Sequence, residues 1–594
     1  MDVVSITLDV CKTISHLLSI HLPPMKKSPS LFCALPSRLI AATILLSSLD
    51  SASAINLYWD PNGAVPGTGG TGTWNFNTTP SWSASGSGGS NVNWTSSADT
   101  AYFGGIEGVV TVSNSNGNVV AKEIGITRGG YSFEGDKITI DTGGNTSALT
   151  LNPTSNSTAD ITFGNEIEFL RSGTSSNEHF NITLAPNYYT GKVIFNGDIS
   201  VRVTSTAPRA YTNLQISNAS ASTMVFNGRF LPITGTDEYL AMRFGESSSA
   251  NSNAIYEVNG DNSTFDGVAI GVFAGIVLMG HEKAFGTATL NVGNSNSTAT
   301  PPSATLLTNG ALTVANNVYL SGNNSYTAAK RTLGGYTDDE SEFSGTINAN
   351  NFHLTLTAAV DGEVEFSNLI YNGLSATKEG EGTVRFTRAA GNTYGGSTTI
   401  KAGTLLVENT TLSATGAGAV SVQNGALGGT GRVSGAVTVG DGTGTAGTAS
   451  IFAGTLGTIE TLETGALSLS NTDAAFRFDL NSTTQTADRI IVTGALTLGN
   501  GLALFAGNDL STAILDEDFQ FVLMTATGGV SGSFAGLAEG ATYTVGNNAY
   551  RISYGVDVAN SVSLTVIPEP DTALLMAFGL GIVLFYRRRH SMAG

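Results

Sequence analysis

Cysteine is nearly absent. Of 594 residues only Cys11 and Cys33 carry a thiol, both close to the N-terminus. Once a leader holding both is removed no disulfide can form, which excludes small stapled modules and favours one long continuous core. Charge is also scarce, at 12% of residues, and positive charge scarcer still. Seven of the 27 basic residues, but only four of the 46 acidic ones, lie in residues 1–54 and 571–594, so the stretch between stands at -22. Such a surface repels phosphate backbones and excludes nucleic acid as a partner, while still attracting divalent cations loosely. Outside the terminal segments the only histidines are His179, His281 and His353, scattered without zinc spacing. No Gly-x-Ser-x-Gly, phosphate-binding or dinucleotide-binding fingerprint occurs in a convincing setting.

What is plentiful is glycine, at 73 residues, with serine, threonine and asparagine throughout and 41% hydrophobic residues. That apolar share is enough for a core and too high for a fully disordered chain. Short Val/Leu runs separated by Gly, Asn and Thr read as many strands joined by many turns.

The two ends read as addresses. Residues 1–24 lack a basic start, and Met25-Lys26-Lys27 makes a better one. The apolar run 39–46 and then Ala52-Ser53-Ala54 follow, so a signal peptide with cleavage between Ala54 and Ile55 is expected. At the other end Pro568-Glu569-Pro570 precedes 14 uncharged residues (573–586) and then Arg587-Arg588-Arg589. A spanning helix needs about 20 apolar residues, so the segment is marginal as a permanent anchor. The arginines would hold its end on the cytoplasmic side, giving transient or terminal membrane insertion. The two prolines keep the preceding stretch extended, in reach of a protease. This order resembles the PEP-CTERM sorting signal of Gram-negative bacteria, over about 27 residues. A plain tail anchor with a chance Pro-Glu-Pro is the competing account. The resemblance implies processing by an exosortase-type membrane peptidase, in organisms that make extracellular polysaccharide.

The middle repeats itself. Residues 376–409 (ATKEGEGTVRFTRAAGNTYGGSTTIKAGTLLVEN) contain three five-residue strands, at 383–387, 397–401 and 404–408, with Gly or Asn between them. A weaker copy at 256–280 aligns Thr264-Phe265-Asp266-Gly267 with Thr393-Tyr394-Gly395-Gly396, and Gly275 with Gly403. The pattern Gly-Ala-(Leu/Val)-x-(Leu/Val) begins at Gly310, Gly435, Gly465 and Gly494, with a variant at Gly403; VIFNG at 193 and MVFNG at 224 are 31 apart. Self-similarity at such periods signals stacked coils rather than a sandwich. The stack is expected to have on the order of 20 coils about 4.8 Å apart, with Val, Leu, Ile and Ala inside, Thr, Ser and Asn outside, and capped ends.

Residues 376–409 also resemble the autotransporter-associated β-strand repeat (the passenger-associated transport repeat), through Lys378, Gly380, Gly382-Thr383, Asn392-Thr393-Tyr394, Gly395-Gly396 and Ala402-Gly403-Thr404-Leu405. That likeness implies a right-handed parallel β-helix outside a cell. Autotransporters end in a membrane β-barrel, whereas here the strand-like segment 562–566 leads straight into the sorting tail. Export is therefore expected to depend on other machinery.

Candidates for chemistry are few. All four tryptophans lie between Trp59 and Trp94, either as a sugar-stacking platform or as a plug over the first coil. Asp338-Asp339-Glu340 and Asp516-Glu517-Asp518 are acidic runs without EF-hand spacing, leaving only a weak case for calcium. Asp261 and Asp266 fit a turn as well as a site. Lys192, Arg202, Arg209 and Asp198 are the nearest thing to a charged cluster, and surface scatter accounts for them. No catalytic, cofactor-binding or metal-ligating residue is assigned.

The expected organisation is all-β: a signal peptide (1–54), a Trp-rich N-terminal cap (55–105), an elongated right-handed parallel β-helix (106–566) and a sorting signal with a short hydrophobic helix (567–594). The expected role is an exported, non-enzymatic surface or matrix protein, with extracellular polysaccharide as a possible partner. Two alternatives stand beside it: a glycan lyase or hydrolase on the same scaffold, and a calcium-dependent adhesin.

Overall fold

The computed structural model describes residues 54–567, except 64–67, 145–146, 154–157, 174–177, 186–188, 205–211, 220–221, 236–239, 246–252, 268, 294–301, 323–328, 500–502 and 516–518, together with 580–584 and 586–588. Strands dominate, and most alternate between buried and solvent-facing residues. Ile199–Val203 (ISVRV), Glu363–Phe366 (EVEF) and Val437–Val439 (VTV) are representative, with Val, Ile and Phe inward and Ser, Thr, Glu and Arg outward. Period-two alternation of this kind suits one buried and one wet face, and β-branched residues fit the pleat.

Successive strands visit three sheets in rotation. Glu123–Ile126 lies in a first sheet, Ser132–Gly135 in a second and Ile138–Ile140 in a third; Ser147–Leu151 then returns to the first, in parallel register one coil on. The second sheet is the longest and runs without a break from Gly72–Asn75 to Val530–Ser531. It is an open stack, since each strand pairs in parallel with those one coil before and after. The first sheet has 14 strands and ends at Ile370–Tyr371; a 7-stranded sheet beginning at Arg432–Val433 takes its place in the coil order. The third position is filled by a 5-stranded and then a 10-stranded sheet. The architecture is a parallel β-helix.

Repeats in the sequence are rungs in the structure. VIFNG and MVFNG stack as Val193 on Met224 and Phe195 on Phe226. Val437, Leu467 and Leu496, of the glycine-led motifs at Gly435, Gly465 and Gly494, are neighbours in register. Inward phenylalanines form a column, with Phe133, Phe163, Phe195 and Phe226 stacked at centroid distances of 4.8, 5.0 and 4.9 Å. Corner asparagines join three coils. Asn392 Oδ1 accepts the Ile370 N–H at 2.9 Å from one neighbouring coil, and its Nδ2 donates to the Ala414 carbonyl at 2.8 Å in the other. Asn262 does the same between Phe230 and Ala284. Outside, Asn196, Asn227 and Asn259 form a side-chain ladder with bonds of 2.8 and 2.9 Å. Glycine is needed where corners touch: a Cβ on Gly435 would stand 1.9 Å from the Gly418 carbonyl oxygen, and one on Gly396 would collide with that of Leu374.

Two sequence expectations shift by one face. Gly275 opens a strand of the long sheet (Gly275–Met279), whereas Gly403 opens one of the third (Thr404–Val407), so the copies at 256–280 and 376–409 are not in phase. The motif at Gly310 likewise feeds Thr313–Val314 of the third sheet, not the long one. Short Gly-x-strand units look alike on every face, because each face imposes the same alternation.

The parallel pattern also stops before residue 566. Gln520–Ala526 pairs antiparallel with Ser561–Ile567, which pairs antiparallel with Asn548–Tyr554, and that with Thr542–Val545. This meander covers the last coil with side chains. Tyr543 Oη donates to the Phe505 carbonyl at 3.1 Å and accepts the Gly507 N–H at 3.2 Å. Asn548 takes the Leu515 N–H and gives to the Ala513 carbonyl, both at 2.7 Å. An open strand edge is thereby closed to further pairing.

Phe195→Ala should lower the unfolding free energy by about 3–5 kcal/mol, because a stacked ring is lost from a close-packed column. The outward neighbour Ile194→Ala should cost at most about 1 kcal/mol. Urea denaturation of both variants measures the difference; equal losses would mean the column does not carry the core.

Candidate functional site

Lys378, Tyr394 and Gly382 of the 376–409 repeat are packed within the coil. Lys378 points inward and is 1% exposed. Its ammonium donates to the carbonyls of Glu379 (3.0 Å), Gly380 (2.8 Å) and Ala402 (3.1 Å). Burial pulls its pKa down to about 8. Three donors facing three acceptors keep it a corner brace at neutral pH. Tyr394 is buried with its hydroxyl 2.7 Å from Thr398 Oγ1. Gly382 packs where a Cβ would lie 1.9 Å from the Ala359 carbonyl oxygen. The motif therefore builds a coil and presents no reactive group.

The tryptophans are structural as well. Trp59, Trp74, Trp82 and Trp94 are fully buried, with rings 4.8 to 5.3 Å apart. They pack on Phe103 beneath the antiparallel strands Trp82–Ser83 and Asn91–Val92, so none offers a face to a sugar.

The charged candidates are dispersed. Asp198 pairs with Arg229 at 2.6 Å, Arg202 with Glu168 at 2.8 Å, and Lys192 lies 3.9 Å from Glu257; Arg209 falls outside the described residues. Glu168, 5% exposed, is also held by Lys137 at 2.7 Å. His179 contacts Asn213 and Gln215, His281 accepts the Lys283 N–H, and His353 meets Ser375, so the three do not converge. Asp261 accepts the Ser263 N–H at 3.0 Å, a turn. Asp516-Glu517-Asp518 is outside the described residues, and among those described no group of three or more His, Cys, Asp or Glu is placed to hold a metal ion.

One cleft of about 240 Å³ does gather carboxylates on the third face, from Glu340, Glu342, Glu363 and Glu365, beside Arg385. Glu340 stacks on Glu363 and Glu342 on Glu365. Arg385 bridges Glu363 (2.8 Å) and Glu408 (2.6 Å), Thr387 Oγ1 donates to Glu365, and Ser367 Oγ donates to Glu342. Glu342, Glu363 and Glu365 are thus tied to hydroxyls and a guanidinium on neighbouring rungs, as a surface ladder.

At the ends, Ile55 donates its N–H to Asp99 Oδ1 at 3.1 Å and accepts the Thr100 N–H at 3.0 Å; Ala54 is exposed and Ala52 is outside the described residues. Pro568, Glu569, Pro570 and Arg589 are likewise outside them. Ser561–Ile567 leads directly to that stretch. Residues 580–584 and 586–588 are helical, with Arg587 and Arg588 exposed beside bare apolar side chains such as Ile582 and Leu584. No helix of the described residues is long and apolar enough to cross a membrane.

Comparison with known proteins gives three findings. Residues 566–589 match the PEP-CTERM protein-sorting motif, so the chain carries that signal. The chain is 25% identical over 526 residues to the Adhesin BmaC autotransporter of Brucella suis biovar 1, covering 80% of this chain and 14% of that protein. It is similar to the Haemophilus influenzae Hap adhesin in crystal structure at 11% identity and a TM-score of 0.22, over 79% of this chain and 63% of that one. The chain thus spans a small part of the BmaC adhesin and somewhat less than two thirds of the Hap chain.

Lys378→Met should destabilise the protein by about 1–3 kcal/mol, since three buried carbonyls lose their donor. Because the folded pKa lies below the free-lysine value of about 10.4, the unfolded chain binds more protons between the two, and Lys378 makes stability rise across that window as pH increases. Denaturation at pH 7.5 and pH 10 should show that rise in the parent relative to the variant; parallel profiles would remove the brace from the account.

Proposed function

We propose that this chain is an exported, non-enzymatic surface or matrix protein of the adhesion type. A leader takes it out of the cytoplasm and ends at Ala54. The segment at 573–586 then halts in the membrane with Arg587, Arg588 and Arg589 on the cytoplasmic side, and an exosortase-type peptidase acts near Pro568-Glu569-Pro570. Outside, the β-helix presents long polar faces on which many weak contacts add up, extracellular polysaccharide being the partner. The observation that carries this reading is the sorting motif at 566–589, joined directly to the last strand of the antiparallel meander that closes a parallel β-helix. Similarity to the BmaC adhesin supports the adhesion role.

Fractionation with intact-mass analysis of the native protein tests it. The mature mass should begin at Ile55 and lack part or all of 568–594, in the envelope or matrix fraction. Replacing Arg587, Arg588 and Arg589 by alanine should leave the tail unprocessed and the cells poorer in surface attachment. A full-length cytosolic chain would end the proposal.

Cleavage after Ala54 would have a physical consequence at the cap. It turns the Ile55 N–H into an α-ammonium beside Asp99, which is 5% exposed and whose pKa burial raises. A chain beginning at Ile55 should be more stable than one bearing a two-residue extension by about 1–2 kcal/mol, as for a hydrogen bond gaining charge. Asp99→Asn should erase that difference in urea melts. Equal stability of cut and extended chains would count against this pairing.

A second reading rests on the carboxylate cleft: a glycan-active enzyme on the same scaffold, using Glu342 and Glu365. Release of reducing ends from neutral and anionic glycans that is lost in Glu342→Gln would favour it over the adhesion reading.

A further inference from the structure

The glycine-led repeat leaves two of its five positions without a role in the fold. Glycine makes the corner, and the two Leu/Val positions fill the core. The alanine and the central residue point outward, and on the long sheet they fall into columns.

The central position is a hydroxyl on every rung of a long run. Thr305 is in register with Thr332, Thr355, Thr377 and Thr399, which continues to Ser421. The column then passes through Thr438, Ser468 and Thr497 to Ser531. Rung spacing puts neighbouring hydroxyls about 4.8 Å apart. Along the column Ser468 Oγ meets Ser470 at 2.7 Å and Ser531 Oγ reaches the Leu496 carbonyl at 3.4 Å. The other eight hydroxyls have no partner within the described residues. Thr332 and Thr355 are buried, at 9% and 7% exposure, on rungs whose outward face also carries the Lys330–Glu379 and Lys401–Glu379 ion pairs (2.6 and 3.5 Å), while Thr438, Thr497 and Ser531 are open.

Beside the second half runs a column of exposed alanines. Ala419, Ala436, Ala466 and Ala495 stack because Val420, Val437 and Leu467 donate to the carbonyls of the next alanine in turn. On the other flank, two residues beyond each hydroxyl, stand Gln423, Gly440, Ser470 and Gly499. None of these positions carries charge or an aromatic ring, on a chain whose net charge is -19, whereas the corresponding flanks of the first half hold Lys330, His353, Glu379 and Lys401.

We propose that the second half of this strip, the hydroxyls from Ser421 to Ser531 with the alanine column beside them, binds an uncharged, extended polysaccharide lying along the stack. The inference rests on the adhesion reading above and names its contact surface. Each hydroxyl offers one donor and two acceptor positions, free to exchange with sugar hydroxyls. From Thr438 onward, threonine and alanine methyls give the C–H faces of sugar rings an apolar surface, flanked only by Gly440, Ser470 and Gly499. The rung spacing is close to the rise of one sugar unit in an extended chain, so the same weak contact recurs down the column and the sum becomes strong. Protein interfaces rely on aromatic and arginine anchors, which the strip lacks. The acidic remainder of the surface disfavours anionic polymers.

Pull-down of the full chain on cellulose, mixed-linkage β-glucan and xylan, with alginate as the anionic probe, tests the proposal. The strip variant carries Thr438→Lys, Ser468→Lys and Thr497→Lys. A charge-matched control carries Thr445→Lys, Thr461→Lys and Thr486→Lys, all exposed and off the strip. The parent and the control should be retained on at least one neutral glycan, and the strip variant should lose about tenfold or more of that retention, as expected when several weak contacts are removed together. Circular dichroism and melting should match for all three. Equal retention of strip variant and parent would overturn the strip while leaving the adhesion reading to the cell-attachment assay. Retention on alginate alone, or on nothing, would also overturn it. A strip variant that only abolishes self-association in sedimentation would assign the face to a second copy of the chain. Inhibition of ice recrystallisation without glycan retention would assign it to an ice lattice.

Discussion

Backbone hydrogen bonds between one coil and the next set the terms for everything else. Their spacing is the same at every rung, so a residue is judged by what lies directly above and below it. An inward phenylalanine is best served by another, as Phe163 is between Phe133 and Phe195. A corner without room asks for glycine, as at Gly418 and Gly435. A corner with an unpaired carbonyl asks for asparagine, as at Asn262 and Asn392. The composition, rich in Gly, Asn and Thr and poor in charge, follows from meeting these demands on many rungs.

The same constraint explains how the protein does without cysteine beyond Cys33. Small domains need covalent staples because they bury too little surface. Here each coil is sandwiched between two others, and its apolar side chains belong to one core cluster running from Leu57 to Val566. Charged groups are accommodated by pairing across rungs, as Arg385 does with Glu363 and Glu408.

Much of this was legible in the sequence, and the misses have a common cause. Strand limits at 383–387 and 404–408 agree with the structure to within a residue, because Gly and Asn punctuate them. The 30- and 29-residue steps between Gly435, Gly465 and Gly494 are true coil repeats. Which face a strand joins was not legible: Gly275 heads a short run on the long sheet, and Gly310 and Gly403 head similar runs on the third. Coil length varies, 22 residues around Asn392 and 31 around Asn227, so no fixed period assigns the face. The tryptophans were ambiguous because a platform and a plug use the same residue types, and only burial separates them. The hydroxyl column was hidden in plain view as the variable letter of the repeat: Thr438, Ser468 and Thr497 vary in identity and agree only in chemistry.

The antiparallel meander at 542–567 governs assembly as well as stability. With Tyr543 and Asn548 holding backbone groups of Phe505, Gly507, Ala513 and Leu515, a second molecule cannot continue the rungs at that edge without displacing them. End-on joining is thereby steered away from the Leu504–Asp509 edge and left to the outer side of Thr542–Val545 and to the last rung of the long sheet at Val530–Ser531, beside which no further strand lies among the described residues.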